Sequence, residues 1–416
     1  MNFFSIAFLL ALVLVTVTRL WLTRRHVQHI QAHRAAVPSA FVNDIALDAH
    51  QKAADYSGAK ARLAILHTLV DSGVLLLLTF GGLLQLLDDW AGAWFASEIL
   101  RGAALIGLFA VFTSTIDLPF SWYRTFNIEA RFGFNRMTPS MWLADLAKAA
   151  ALSAALGLPL VLTVLWLMGK MGEWWWLYVW LVWVGFSVFM MAIYPAYIAP
   201  LFNKFAPMPD SSLKTRIENL LGKCGFRSSG LFVMDGSRRS SHGNAYFTGF
   251  GKTKRIVFFD TLISRLTEGE IEAVLAHELG HFKLRHVIRR MLWTFGVSLA
   301  LLAVLGYLKD KAWFYEGLGV AYPATNAMAL LLFALVVPVF TFLLQPLVAM
   351  YSRKHEFEAD AYAARYSSGS ELVKALVKLY KDNATTLTPD PLHSAFYDSH
   401  PPASARIARL QSLGAS

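Results

Sequence analysis

The sequence predicts an α-helical polytopic membrane protein: seven transmembrane helices with a small α+β domain on the inner face. Three observations predict it. Of 416 residues, 56% are hydrophobic and only 16% are Asp, Glu, Lys or Arg, whereas a soluble domain is nearer a quarter charged. Seven stretches are apolar over roughly the 20 residues that a membrane helix needs. Lysine and arginine crowd onto alternate connections between them. The single cysteine, Cys224, excludes an internal disulfide and a thiolate zinc site.

The apolar runs are Phe3–Leu22, Leu63–Leu87, Gly102–Phe120, Ala149–Gly169, Trp174–Pro200, Met291–Leu308 and Asn326–Met350. The fifth opens on three tryptophans, as an interfacial aromatic belt does. Asp71 and Asp117 interrupt the second and third, and acids there are costly against lipid. A wet interior or a helix–helix hydrogen bond would make them tolerable. With the N-terminus outside, the outer connections (88–101, 170–173 and 309–325) hold only Arg101, Lys170, Lys309 and Lys311. The inner ones hold nearly all the other cations, from Arg24, Arg25 and Arg34 onward. The rule that inner loops are positive then places the C-terminus on the cytoplasmic side. It also explains the net charge of +10 without a nucleic-acid partner. The first run has no basic lead and no small-residue cleavage site, so it reads as a retained helix. The chain divides into residues 1–200 (helices one to five), 201–290 (a polar block), 291–350 (helices six and seven) and 351–416 (a C-terminal polar segment).

The chemistry concentrates at Thr267–His281. Thr267 and Glu270 have capping-box spacing, so a helix starts there. His277 and His281, at i and i+4, share one helical face and can hold one zinc ion. Glu278 is rotated away, placed to act as a base without ligating. A catalytic zinc needs a third protein ligand. Glu356 and Asp360 are again i, i+4; one can bind metal while the other orients a ligand histidine. His355 and Glu358 are rivals that spacing does not exclude. Two membrane crossings separate His281 from Glu356, which returns the chain to the same side. The site is therefore expected at the inner membrane boundary. Leu231–Asp235, Asn244–Thr248 and Arg255–Phe259 read as strands, with Gly249 and Gly251 suited to a hairpin.

His277-Glu-Leu-Gly-His281 with Glu356-Phe-Glu-Ala-Asp360 resembles the gluzincin membrane peptidases of the CAAX prenyl protease 1 type. Phe126–Asn135, Pro200–Phe205, His242–Phe247 and His400-Pro-Pro402 with Arg406 resemble further blocks of that family. The resemblance implies one Zn2+ per chain on His277, His281 and Glu356, with Glu278 as base and proton shuttle and Asp360 orienting a ligand. It also implies that His400 stabilises the oxyanion, and that Asn244, Ala245 and Tyr246 lie on an edge strand that holds a peptide. Arg406 would serve substrate or structure, and the seven helices would enclose a large water-filled chamber. The implied substrate is a peptide or protein, lipid-modified or membrane-bound, met in a bacterial inner membrane or endoplasmic reticulum. Two other readings compete: an HtpX-like quality-control protease of misfolded membrane proteins, and a transporter or channel with an incidental motif.

Overall fold

The computed structural model describes residues 2–226, 230–248 and 255–414. The first half is helical: α1 (Phe3–Ala32), α2 (Leu47–Leu78), α3 (Leu83–Trp94), α4 (Glu98–Tyr123), α5 (Pro139–Lys170), α6 (Trp175–Ile193) and a short α7 (Ala199–Phe202). Local chemistry sets several starts. Asn2 caps α1 in a reciprocal box with Ser5, and Thr138 caps α5 ahead of Pro139. The polar middle follows as β1 (Phe205–Pro207), α8 (Ser212–Lys223), β2 (Leu231–Met234), β3 (Ala245–Thr248), β4 (Arg255–Phe259), α9 (Asp260–Ile263) and α10 (Glu268–Lys283). The chain then forms α11 (His286–Leu308), α12 (Ala312–Glu316), α13 (Asn326–Thr341), α14 (Gln345–Tyr366), α15 (Gly369–Asp382), α16 (Pro391–Tyr397) and α17 (Ala403–Gly414).

Among the described residues, seven helical stretches are long and apolar enough to cross a bilayer. Their outward faces are unlike those of a soluble bundle: Leu10, Val111 and Leu292 are 66%, 67% and 63% exposed. Such faces are satisfied only by lipid.

Two helices differ from the hydropathy reading. α2 begins at Leu47 rather than Leu63, because its first turns bury Ala53, Ala54 and Tyr56 against protein while staying polar elsewhere. It stops at Leu78, where Thr79 leaves helical geometry and Gly82 (φ 73) restarts the chain as α3. The seventh crossing runs on past the apolar residues. A single 3-10 turn at Phe342–Leu344 joins α13 to α14, so the membrane helix carries residues 355–360 on its own extension.

The four short strands form one sheet in the order β1-β2-β4-β3, with β2 and β4 parallel and the outer pairs antiparallel. β3 therefore lies at an edge. The expected Gly249/Gly251 hairpin falls outside the described residues. Ile256 and Phe258 of β4, Ile217 of α8, Ile271 and Leu275 of α10 and Leu372 of α15 make a compact core beneath the sheet. α10 is thus anchored along its length while its last turns meet α14.

Candidate active site

α10 starts as its sequence dictates. Thr267 Oγ1 accepts from the Glu270 N–H, and Glu270 Oε2 accepts from the Thr267 N–H at 2.7 Å. Three turns later Gly280 faces α14. A Cβ there would stand 3.0 Å from Tyr362 Cβ and 3.1 Å from Ala359 Cα, so only glycine lets the helices approach this closely. That approach brings His277 and His281 of α10 against Glu356 and Asp360 of α14. Gly280→Ala is expected to lower stability by about 1–3 kcal/mol through overpacking and to loosen metal binding. Thermal unfolding and metal content of the purified variant check this; unchanged values would mean that the helices part freely.

His277, His281 and Glu356 offer three ligand atoms to one point. His277 Nε2 and His281 Nε2 are 3.2 Å apart, His281 Nε2 and Glu356 Oε1 3.3 Å, and His277 Nε2 and Glu356 Oε2 3.5 Å. A tetrahedral ion with bonds of about 2.0–2.1 Å sets its ligand atoms about 3.3 Å apart. Glu356 Oε2 is also buried without a hydrogen-bond partner, and such an atom needs a cation or a donor. The residues present fit a metal ion. Of the acidic and histidine candidates between 355 and 360, Glu356 is the one that faces the Nε2 atoms of both α10 histidines. His355 and Glu358 turn toward His286 instead.

Asp360 is fully buried and Arg406 nearly so. Asp360 Oδ1 accepts from His277 Nδ1 at 2.8 Å. Arg406 donates to both Asp360 oxygens, at 2.9 and 2.6 Å, and Arg406 Nη1 lies 3.9 Å from Glu356 Oε2. Burial lowers the His277 pKa, but the carboxylates of Asp360 and Glu356 outweigh it and push it up to about 9. A metal must displace that proton. The sign follows: below pH 9 each unit weakens apparent metal affinity about tenfold, and above it the dependence from this group vanishes. Chelator-competition titrations between pH 7 and 10 would show this; a flat response would contradict the carboxylate contacts. Burial raises the Glu278 pKa, opposed by the neighbouring His277 and His281, which moves this carboxylate toward a useful base.

A cavity of about 1150 Å3 runs from the α1–α2 pair to these residues, lined by Arg19, His67, Asp71, His277, Glu278 and His400 among others. Small-molecule pockets occupy about 300–1,000 Å3, so there is room for a peptide segment. Asp71 and Asp117 meet through one ring: His67 Nδ1 lies 3.2 Å from Asp71 and Nε2 3.0 Å from Asp117. His400 Nε2 is 3.4 Å from Glu356 Oε1, and its side chain, 61% exposed, opens into the cavity. The enclosing wall lowers its pKa although Glu356 counters, which favours the neutral ring. Arg353, donating to the Ser394 and Asp398 carbonyls at 3.1 and 3.0 Å, fixes the turn before it.

Asn244 and Ala245 also line the cavity, at the open edge of β3. The Phe259 N–H donates to the Asn244 carbonyl at 3.0 Å, so alternation turns the Ala245 backbone groups outward. Asn244 Oδ1 caps that outward N–H at 2.8 Å. Tyr246 is not among the cavity-lining residues; its ring packs edge-on against Phe259. Sequence reasoning missed His242, whose Nε2 is 3.5 Å from Glu129 and whose Nδ1 is 3.1 Å from Asn383 Oδ1. Both His242 and Glu129 stood inside blocks already singled out, but only the fold pairs them.

Comparison with known proteins decides the family. A family model described as "CAAX prenyl protease N-terminal, five membrane helices" matches residues 26–204, and the model of peptidase family M48 matches residues 207–413. The chain belongs to peptidase family M48. It is 37% identical over 395 residues to a CAAX prenyl protease 1 homolog of Arabidopsis thaliana, covering 90% of each chain. It is 34% identical to the CAAX prenyl protease 1 of Saccharomyces cerevisiae, covering 76% of this chain and 73% of that one. A crystal structure of S. mikatae Ste24p superposes with a TM-score of 0.93 at 29% identity, over 99% of both chains. This M48 member is a multi-pass membrane metalloprotease acting on peptide or protein substrates, and the quality-control alternative is not favoured.

Proposed function

We propose that this peptidase carries one zinc ion on His277, His281 and Glu356 and hydrolyses peptide bonds at the inner membrane boundary. The convergence of His277 Nε2, His281 Nε2 and the two Glu356 carboxylate oxygens, with contacts of 3.2–3.5 Å, is the observation that supports the metal assignment. When bound, zinc supplies Lewis acidity, polarising a carbonyl and acidifying water toward pKa ~7.

The chain's own residues do the rest. Glu278 accepts a proton as water attacks the scissile carbonyl, then delivers it to the leaving amine. His400, beside Glu356 in the cavity wall, donates to the developing oxyanion. Asp360 and Arg406 act through His277, holding its ring and its tautomer; buried burial partners of this kind suit Arg406 to structure rather than substrate. Asn244 and Ala245 present an open strand edge on which an extended peptide pairs.

The preferred substrate is a prenylated chain, cleaved near its modified end. The names of the relatives support this, as does a cavity walled on one side by α1 and α2. The positive-inside asymmetry supports a cytoplasmic active site and C-terminus. Chelator-stripped protein in nanodiscs, reloaded with zinc and offered matched peptides with and without a farnesyl group, tests the reading. Zinc-dependent cleavage, faster on the prenylated peptide, is expected. Full cleavage without metal would overturn the mechanism, and equal rates on both peptides would overturn the substrate class.

A further inference from the structure

Beside the metal ligands lies a second set of titratable side chains that the hydrolytic scheme leaves unused: His286, His355 and Glu358. His286 and His355 are each 2% exposed. Arg285, between α10 and α11, takes a left-handed backbone (φ 59). That turn folds His286 back onto His281, so that the two Nδ1 atoms are 3.0 Å apart. On its other side, His286 Nε2 is 2.9 Å from Glu358 Oε2. The His355 ring stacks on the His286 ring at 4.0 Å and 8°, which holds its plane.

We propose that Glu358 and His286 form a relay that holds His281 in the one tautomer able to bind the metal; this rests on the assignment of His281 as a ligand. The proton positions follow from donor and acceptor inventories. An ionised carboxylate only accepts, so the His286 hydrogen sits on Nε2. The His286 Nδ1 lone pair then accepts, so the His281 hydrogen sits on Nδ1. His281 Nε2 is left with its lone pair, facing His277 Nε2 and Glu356 Oε1 at 3.2 and 3.3 Å. Each ligand histidine thus has its own orienting partner: Asp360 directly for His277, and Glu358 through His286 for His281. Such partners typically tune metal affinity by about 10–100-fold.

The three residues could instead hold an ion of their own, since their ligand atoms cluster. The geometry argues against it. A separation of 2.9 Å is a donated hydrogen bond, shorter than the roughly 3.3 Å between donors of one tetrahedral ion. An ion on His286 Nε2 would also move that ring's hydrogen to Nδ1, facing His281 and forcing the wrong tautomer there. The two uses exclude each other.

Zinc affinity of the full-length protein in nanodiscs, measured by chelator competition, tests the relay. Glu358→Leu and His286→Phe are expected to weaken it about 10–100-fold. Glu358→Gln keeps an accepting oxygen, and His286→Gln keeps both an acceptor and a donor; both should stay close to wild type. The double variant Glu358→Leu/His286→Phe should be no worse than His286→Phe alone. Zinc-saturated Glu358→Leu should keep its KM. Equal affinities for Glu358→Leu and Glu358→Gln would overturn the relay, as would two zinc ions per wild-type chain of which His286→Phe removes one. Loss of zinc from wild type itself, or full turnover by Glu278→Gln, would instead bring down the hydrolytic reading on which the relay rests.

Discussion

Glu278→Gln is expected to retain its zinc and to lose about 10²–10⁴-fold in kcat, the usual worth of a positioned proton-transfer group. The substitution is nearly isosteric. It keeps the polar lining of the cavity and leaves the three ligand atoms untouched, so KM should change little. What disappears is the ability to take a proton from water and return it to the leaving amine. Burial that raises the Glu278 pKa also predicts where wild-type activity fails in acid. The carboxylate must be ionised to work, so kcat/KM falls as pH drops through its pKa. That limb lies above the ordinary glutamate value. Steady-state kinetics on one peptide, with zinc measured on the same samples, separates the lost base from lost metal. Comparable turnover by this variant would remove Glu278 from the mechanism.

Asp360→Ala carries the largest expected effect on stability. Asp360 and Arg406 form a bidentate pair almost sealed from solvent. Removing one partner of a buried pair leaves an uncompensated charge, at a penalty of about 3–5 kcal/mol. The same substitution frees His277 Nδ1 from its acceptor, so metal affinity should fall with stability. Asp360→Ala/Arg406→Ala removes both charges and should recover part of the stability but none of the orientation of His277. Thermal unfolding of the apo and zinc-loaded forms resolves the two consequences. A double variant as unstable as Asp360→Ala would show that packing, not charge, dominates here.

Much of this was legible in the sequence. The seven crossings and the histidine pair at 277 and 281 follow from local periodicity and spacing, and the capping box sets the start of α10. The choice among residues 355–360 came from the family resemblance and was not legible in spacing. The Glu356/Asp360 pair and the rivals His355 and Glu358 lie on one helix and differ by rotation about its axis, and that rotation is set by Ala359 seating against Gly280. The first turns of α2 escaped hydropathy because they are helical without being apolar. His286 escaped because its contact with His281 depends on one left-handed residue, Arg285. The pairing of Glu129 with His242 joins distant segments that no local pattern relates.

Zinc-edge X-ray absorption on the purified protein reads the composition of the metal centre. One zinc per chain is expected, with two imidazole nitrogens and carboxylate oxygen at about 2.0–2.1 Å and no sulfur, the oxygen contribution falling in Glu356→Ala. A sulfur shell, or a spectrum lacking imidazole scattering, would contradict the assignment of His277, His281 and Glu356.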